Sequence, residues 1–158
     1  MKLDWAILSN SAEIQANLSY VLGGGWDTGW RPIFPTPFLG ALTLRLLVHP
    51  AEVSQPHKIE LYFWNEDGKA FAPPLTITLG PSVVPPEHPR GWDLPAMLAI
   101  GLQNLQIPDQ GRYSIELLVD GQHTKSIPFR FVSGGPPGAP LSPLPPQAPP
   151  QLPPPTTP

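Results

Sequence analysis

Gly23-Gly24-Gly25-Trp26-Asp27-Thr28-Gly29-Trp30-Arg31 is the densest run of residues with chemical potential in this chain. Its glycines would suit a phosphate-cradling loop, but that task needs a Lys followed by Ser or Thr at the mouth of a helix, or a glycine fingerprint between a strand and a helix. Here the continuation is Arg31-Pro32 and further loop, so nucleotide binding is not expected. The two indoles offer a different chemistry. Flat aromatic rings stack on a sugar or a peptide side chain while neighbouring charges orient it, which makes Trp26, Asp27, Trp30 and Arg31 the candidate binding residues. The plainer alternative, and the preferred one, is that one or both indoles fold back over the end of the domain while the glycines let the chain turn.

The remaining reactive side chains are dispersed. His49, His57, His88 and His123 occur singly, at no spacing typical of a metal site; a fold that joined His49 to His57 would be needed to make one. Glu66, Asp67 and Asp120 fall where tight turns favour acids, so they read as turn residues before general acids or bases. Ser9 and Ser11 have no histidine near them in sequence, and no Gly-x-Ser-x-Gly elbow is present. The expectation is a chain with no catalytic residues, no metal and no cofactor.

A formal charge of -3, a pI near 5.7 and nine scattered basic residues argue against nucleic acid, whose phosphates demand clustered Lys and Arg. The absence of cysteine removes disulfides and thiolate metal sites and fits a reducing compartment. Asp4 follows Lys2 too closely for the opening to serve as a signal-peptide core, and no apolar run is long enough to span a bilayer as a helix. No membrane partner is expected, and the predicted location is cytoplasmic.

The elements that must position these side chains are strands. Leu3 to Ser9 reads as a first strand, and Ala12 to Leu22 as a hairpin turning near Ala16-Asn17. Trp26 to Pro37 reads as loop. Leu42, Leu44, Leu46 and Val48 point one way and Thr43, Arg45 and Leu47 the other; Ile59, Leu61 and Phe63 alternate in Lys58 to Asn65, before the turn Asn65-Glu66-Asp67-Gly68. A strand over Leu75 to Leu79 and a proline-rich crossing from Pro81 to Pro89 follow. Leu94 to Ile107 fits neither period cleanly, and Gly101 with the flanking prolines favours strand over helix. Tyr113, Ile115, Leu117 and Val119, the turn Asp120-Gly121, and Ile127, Phe129 and Phe131 make the clearest hairpin. Trp5, Trp64 and Trp92 read as core or sheet-face residues.

This spacing predicts an all-β domain over residues 1–132, an antiparallel two-sheet β-sandwich of immunoglobulin-like or, alternatively, C2-like topology. Leu105 to Tyr113 is similar to a tyrosine corner, in which a Tyr opening a late strand bonds back to the connecting loop; a plain turn before a core Tyr is the alternative. Residues 133–158 break the pattern. Twelve of these twenty-six residues are proline and none is charged, so they are expected to form a disordered tail. Its overlapping Pro-x-x-Pro units between Pro137 and Pro153 favour polyproline II, as a ligand for an aromatic groove or, by preference, as a solvated spacer.

Lys2-Leu3-Asp4-Trp5-Ala6-Ile7-Leu8, Leu22-Gly23-Gly24-Gly25-Trp26-Asp27-Thr28, and Gly111-Arg112-Tyr113 to Val119-Asp120-Gly121 with Pro128-Phe129-Arg130 together resemble a family of small uncharacterised bacterial proteins known only as a domain of unknown function. The resemblance spans residues 1–132. It implies a bacterial cytoplasmic β-domain and brings no activity and no residue roles. The leading expectation is therefore a non-catalytic interaction module with a protein partner, and the alternative is a sandwich that binds a carbohydrate or other small molecule on its aromatic Gly-rich loop.

Overall fold

The computed structural model describes residues 1–135; the predicted disordered tail lies, from residue 136 on, outside the described residues. Every regular element among the described residues is a strand. β1 (Lys2–Gln15) is continuous through the expected break at Asn10 and Ser11, and turns into β2 (Leu18–Gly24) at Ala16-Asn17. Both turn residues have positive φ, 49° and 59°, as a two-residue turn matching the strand twist requires. β5 (Ala41–Val48) pairs with β1 only over Lys2 to Ser9, so the distal part of the β1–β2 hairpin runs on as a two-stranded ribbon. β8 (Leu94–Gly101) completes a four-stranded sheet of order β2-β1-β5-β8.

The second sheet is built on the hairpin of β10 (Gly111–Val119) and β11 (Gln122–Ser133), flanked by β6 (His57–Asn65) and β7 (Ala70–Leu79). Its order is β3-β11-β10-β6-β7, where β3 is Thr28–Arg31. Two expectations need correcting here. The stretch Trp26 to Pro37 is not all loop, and the sheets are not wholly antiparallel, because β3 runs parallel to Arg130–Ser133 of β11. A four-residue strand at a sheet edge carries no readable alternation, and its partner lies a hundred residues downstream. The short β4 (Thr36–Pro37) and β9 (Gln106–Ile107) pair at one end of the core, and β9 is divided from β8 by a turn inside the single strand expected over Leu94 to Ile107. β7 begins five residues before Leu75, with Pro73 and Pro74 inside it; prolines are tolerated there because β7 is an edge strand with no outer neighbour to receive a ladder bond.

The alternation read from the sequence fills one core. Leu42, Leu44 and Leu46 from β5 meet Ile59, Leu61 and Phe63 from β6, Ile115 and Leu117 from β10, and Phe129 and Phe131 from β11, all buried. These side chains come from the facing sides of both large sheets, so removing them from water is what holds the sheets together. Phe38, Leu102 and Ile107 close the end near β4 and β9. Trp5 and Trp64 lie half-buried on strands, whereas Trp92 does not reach a sheet and is 67% exposed in the crossing before β8.

Candidate interaction groove

Gly23 and Gly25 have φ of 61° and 87°, conformations that let β2 end and the chain swing across to the other sheet. The Gly25 amide donates to the Leu8 carbonyl at 2.7 Å, fixing the start of that crossing to β1. Trp26 then folds inward. Its ring lies 5.7 Å from Phe38 in a tilted contact and 6.3 Å, edge-on, from Phe131, and its buried Nε1 has no acceptor among the described residues.

Asp27 holds the next joint. Its carbonyl accepts from the Arg130 amide at 2.8 Å, and its carboxylate accepts from Thr28 Oγ1, which in turn accepts from Arg130 Nε at 3.0 Å. β3 is thereby locked to β11 before its ladder begins. Gly29 is obligatory for closeness, since a Cβ there would lie 2.4 Å from the Phe131 ring. Arg31 turns back on the chain: its guanidinium stands 5.3 Å from the Phe131 ring centre, Nη1 donates to the Trp30 carbonyl at 2.8 Å, and the buried Nε has no partner among the described residues.

The structure brings three of the four candidate residues to one place. Trp26, Trp30 and Arg31 line a groove of about 470 Å³ with Asn10, Gly23 and Leu39, running beside the edge strand β3. Asp27 is not among them; it faces a smaller cavity, about 230 Å³, with Arg112 and Arg130. Those two arginines are direct cross-strand neighbours.

Two polar arrangements and one cavity escaped the sequence reading. Glu116, Ser126 and His123 cluster on the exposed side of the β10–β11 hairpin, where Ser126 Oγ donates to Glu116 and His123 Nε2 lies 2.7 Å from the same carboxylate oxygen. Burial pushes the Glu116 carboxyl up, but the hydrogen bonds from Ser126, His123 and Ser114 and the nearness of His123 together hold the group below its ordinary value. The composition resembles a nucleophile relay, yet a relay needs one imidazole nitrogen for the acid and the other for the nucleophile. Here Nε2 alone faces both, 3.4 Å from Ser126 Oγ. The hairpin register, which pairs Glu116 with Ser126, was the available signal. Asp120 does more than turn the chain, since it accepts from the Lys58 amide at 2.8 Å and lies 2.9 Å from His57 Nδ1. A largely apolar cavity of about 420 Å³ beside Phe71, Pro74 and Leu105 draws its lining from separate segments, which no local pattern announces.

His49 receives the Ala51 amide at a loop, His88 lies 3.1 Å from the Trp92 carbonyl, and His57 and His123 pair with separate acids. His49 and His57 form no joint site: no three His, Asp or Glu side chains converge among the described residues. No helix there is long and apolar enough to cross a membrane.

Fold and groove together define an all-β domain of two large sheets with an aromatic groove along one open edge. The chain belongs to a family of unknown function (DUF6941), whose model matches residues 4–132. No curated protein and no solved structure matches it.

Proposed function

We propose that this chain is a non-catalytic, cytoplasmic bacterial interaction module, an immunoglobulin-like sandwich that offers the β3-edge groove to an extended segment of a protein partner. The topology supports the sandwich type. Taking β1, β5, β6, β8, β10 and β11 as strands A, B, C, E, F and G puts A, B and E in one sheet and C, F and G in the other, as that fold requires. The Tyr113 hydroxyl, bonded to the Asp109 carbonyl at the entry to strand F, favours it over a C2-like arrangement.

The observation that carries the functional reading is the open edge itself. β3 ends its sheet and carries the half-buried Trp30, and Leu39, 54% exposed, lines the same groove. Unpaired backbone groups next to aromatic and aliphatic walls suit an extended peptide, which supplies main-chain bonds for affinity and side chains for selectivity. Two buried donors of groove residues, Trp26 Nε1 and Arg31 Nε, have no acceptor among the described residues.

A carbohydrate or small-molecule ligand is the second reading, favoured by a groove volume within the usual range for such sites, roughly 300–1,000 Å³. It is the weaker one because Trp26 already spends its ring on Phe38 and Phe131, leaving Trp30 alone to stack. A photo-crosslinking residue at position 30 in the full chain should capture a discrete protein in cells that the same residue at position 78, on β7, does not. Equal capture at both positions would defeat the peptide reading. A saturable change in tryptophan emission with a sugar, lost in Trp30→Ala, would replace it with the second.

A further inference from the structure

We infer that β2 is a contact surface between two copies of this chain, its free edge pairing antiparallel with the same edge of a second copy about a two-fold axis at Tyr20. What the β3 groove binds has no bearing on this, since β2 ends the other large sheet.

The large sheets end in four edge strands, β2, β8, β3 and β7. Natural sheets blunt such edges with proline, charge or shortness, because unpaired backbone groups are a template for another strand. β7 carries Pro73 and Pro74, β8 carries Pro95, and β3 has only four residues. β2 has none of these devices. Leu18–Gly24 runs for seven residues without a charge or a proline, and its Leu18, Tyr20 and Leu22 are 59%, 55% and 72% exposed. Such an apolar, uncharged strand pairs readily with its own kind.

The three exposed side chains share one face. In the β1–β2 register Ser11 lies opposite Leu22, Glu13 opposite Tyr20 and Gln15 opposite Leu18, and directly opposed residues point to the same side. The apolar stripe therefore belongs to β2, while β1 gives that face only small or polar residues. It stands on the part of the ribbon beyond Ser9, where β5 no longer pairs with β1. A two-stranded ribbon is marginal by itself in water, and a matching ribbon beside it would make a four-stranded sheet.

The partner is a second copy because the edge is complementary to itself. In a two-residue hairpin the residues flanking the turn, Gln15 and Leu18, exchange both backbone bonds. Alternation then aims the backbone groups of Leu18, Tyr20 and Leu22 at β1, and those of Ser19 and Val21 at the open edge. An antiparallel copy centred on Tyr20 brings Ser19 opposite Val21 of the second copy, so the outward groups meet one another. The same register sets Leu18 opposite Leu22 of the second copy and Tyr20 opposite itself, at the closer spacing where cross-strand apolar pairs touch. Neither strand brings a charge to the axis. The two Glu13 carboxylates stand three strand spacings apart, about 14 Å, beyond the screening length of about 8 Å at physiological salt. About five paired residues a side are fewer than the roughly 20–30 of a standard interface, which puts this dimer in the weak, concentration-dependent class.

Sedimentation of the full chain from about 10 μM to about 1 mM should show a reversible monomer–dimer equilibrium. Tyr20→Lys and Tyr20→Glu each set like charges directly opposite across the axis, and each variant alone should stay monomeric over that range. An equimolar mixture of the two should recover a dimer, because the charges are then opposite. Recovery separates a lost contact from a lost fold, since mixing does not refold a chain. Thr78→Lys, on the β7 edge, should dimerise as the wild type does. The inference is overturned by a wild type that stays monomeric throughout the range, or that grows past the dimer with no discrete species. Undiminished pairing in Tyr20→Lys, equal loss in Thr78→Lys, or no recovery in the mixture overturns it as well.

Discussion

Tyr113 donates its phenol hydrogen to the backbone carbonyl of Asp109 at 2.6 Å, closing a four-residue loop over the entry to β10 while its ring stacks on Phe129 at 5.6 Å. The hydroxyl and the ring thus have separable tasks. Tyr113→Phe should keep the stack and lose the bond, lowering unfolding free energy by about 1 kcal/mol in a urea titration. Burial outweighs the backbone bond and raises the Tyr113 hydroxyl above its ordinary value of 10.0. A group raised on folding gives its full stabilisation below the unfolded value and loses it as pH climbs through the folded one. The wild type should therefore weaken above pH 10 by more than Tyr113→Phe does.

Phe129 is the centre of an aromatic cluster, edge-on to Phe38 at 5.3 Å and to Phe131 at 6.0 Å, with Tyr113 on its face. It is 3% exposed, and it touches side chains that begin the chain's end-closure as well as its last hairpin. Phe129→Ala should cost about 3–5 kcal/mol, seen as a large fall in denaturation midpoint. A near-neutral result would mean that β11 is out of register.

Where local chemistry and tertiary environment agree, the fold was legible. Asp120-Gly121, with φ of 52° and 76°, and Ala16-Asn17 announce their hairpins because few residue pairs tolerate those angles, and the alternation on either side sets which face is inward. β3 was not legible, since its strand identity comes from β11 and not from its own four residues. The groove was half legible. Trp26, Trp30 and Arg31 stand out by type, but the opposite wall of Asn10 and Gly23 exists only because β1 overshoots β5 and carries β2 with it.

Gly29 tests that tertiary dependence. Its missing side chain leaves the space that the Phe131 ring occupies, and the ring is held by Phe38 and Phe129. Gly29→Ala should force β3 away from β11 at a cost of about 1–3 kcal/mol. Amide exchange should quicken along residues 28–31 before it does in β10. Unchanged protection there would show that Phe131 can yield.

Thr43 is fully buried, and its hydroxyl has no hydrogen-bond partner among the described residues. Valine has nearly the same shape without the unpaired polar group, so Thr43→Val should stabilise the fold by about 1 kcal/mol, measured as a higher urea midpoint with an unchanged slope. A loss of stability instead would place an acceptor within reach of Oγ1 in solution.

Asp120 gives the acid side of the pH profile. Burial pushes its carboxyl up, but the Lys58 amide and His57 together outweigh that and hold it below its ordinary value of 3.8. A carboxyl lowered on folding stabilises fully above its unfolded value, and the contribution fades as pH falls through the folded one. Asp120→Asn keeps a turn-compatible residue at φ 52° and an oxygen for the Lys58 amide, while removing the charge beside His57. The variant should be less stable than wild type at neutral pH, with the gap narrowing below pH 3.8 as the wild-type carboxyl takes up its proton. A gap of constant size across that range would assign the loss to turn geometry and leave the charge without a role.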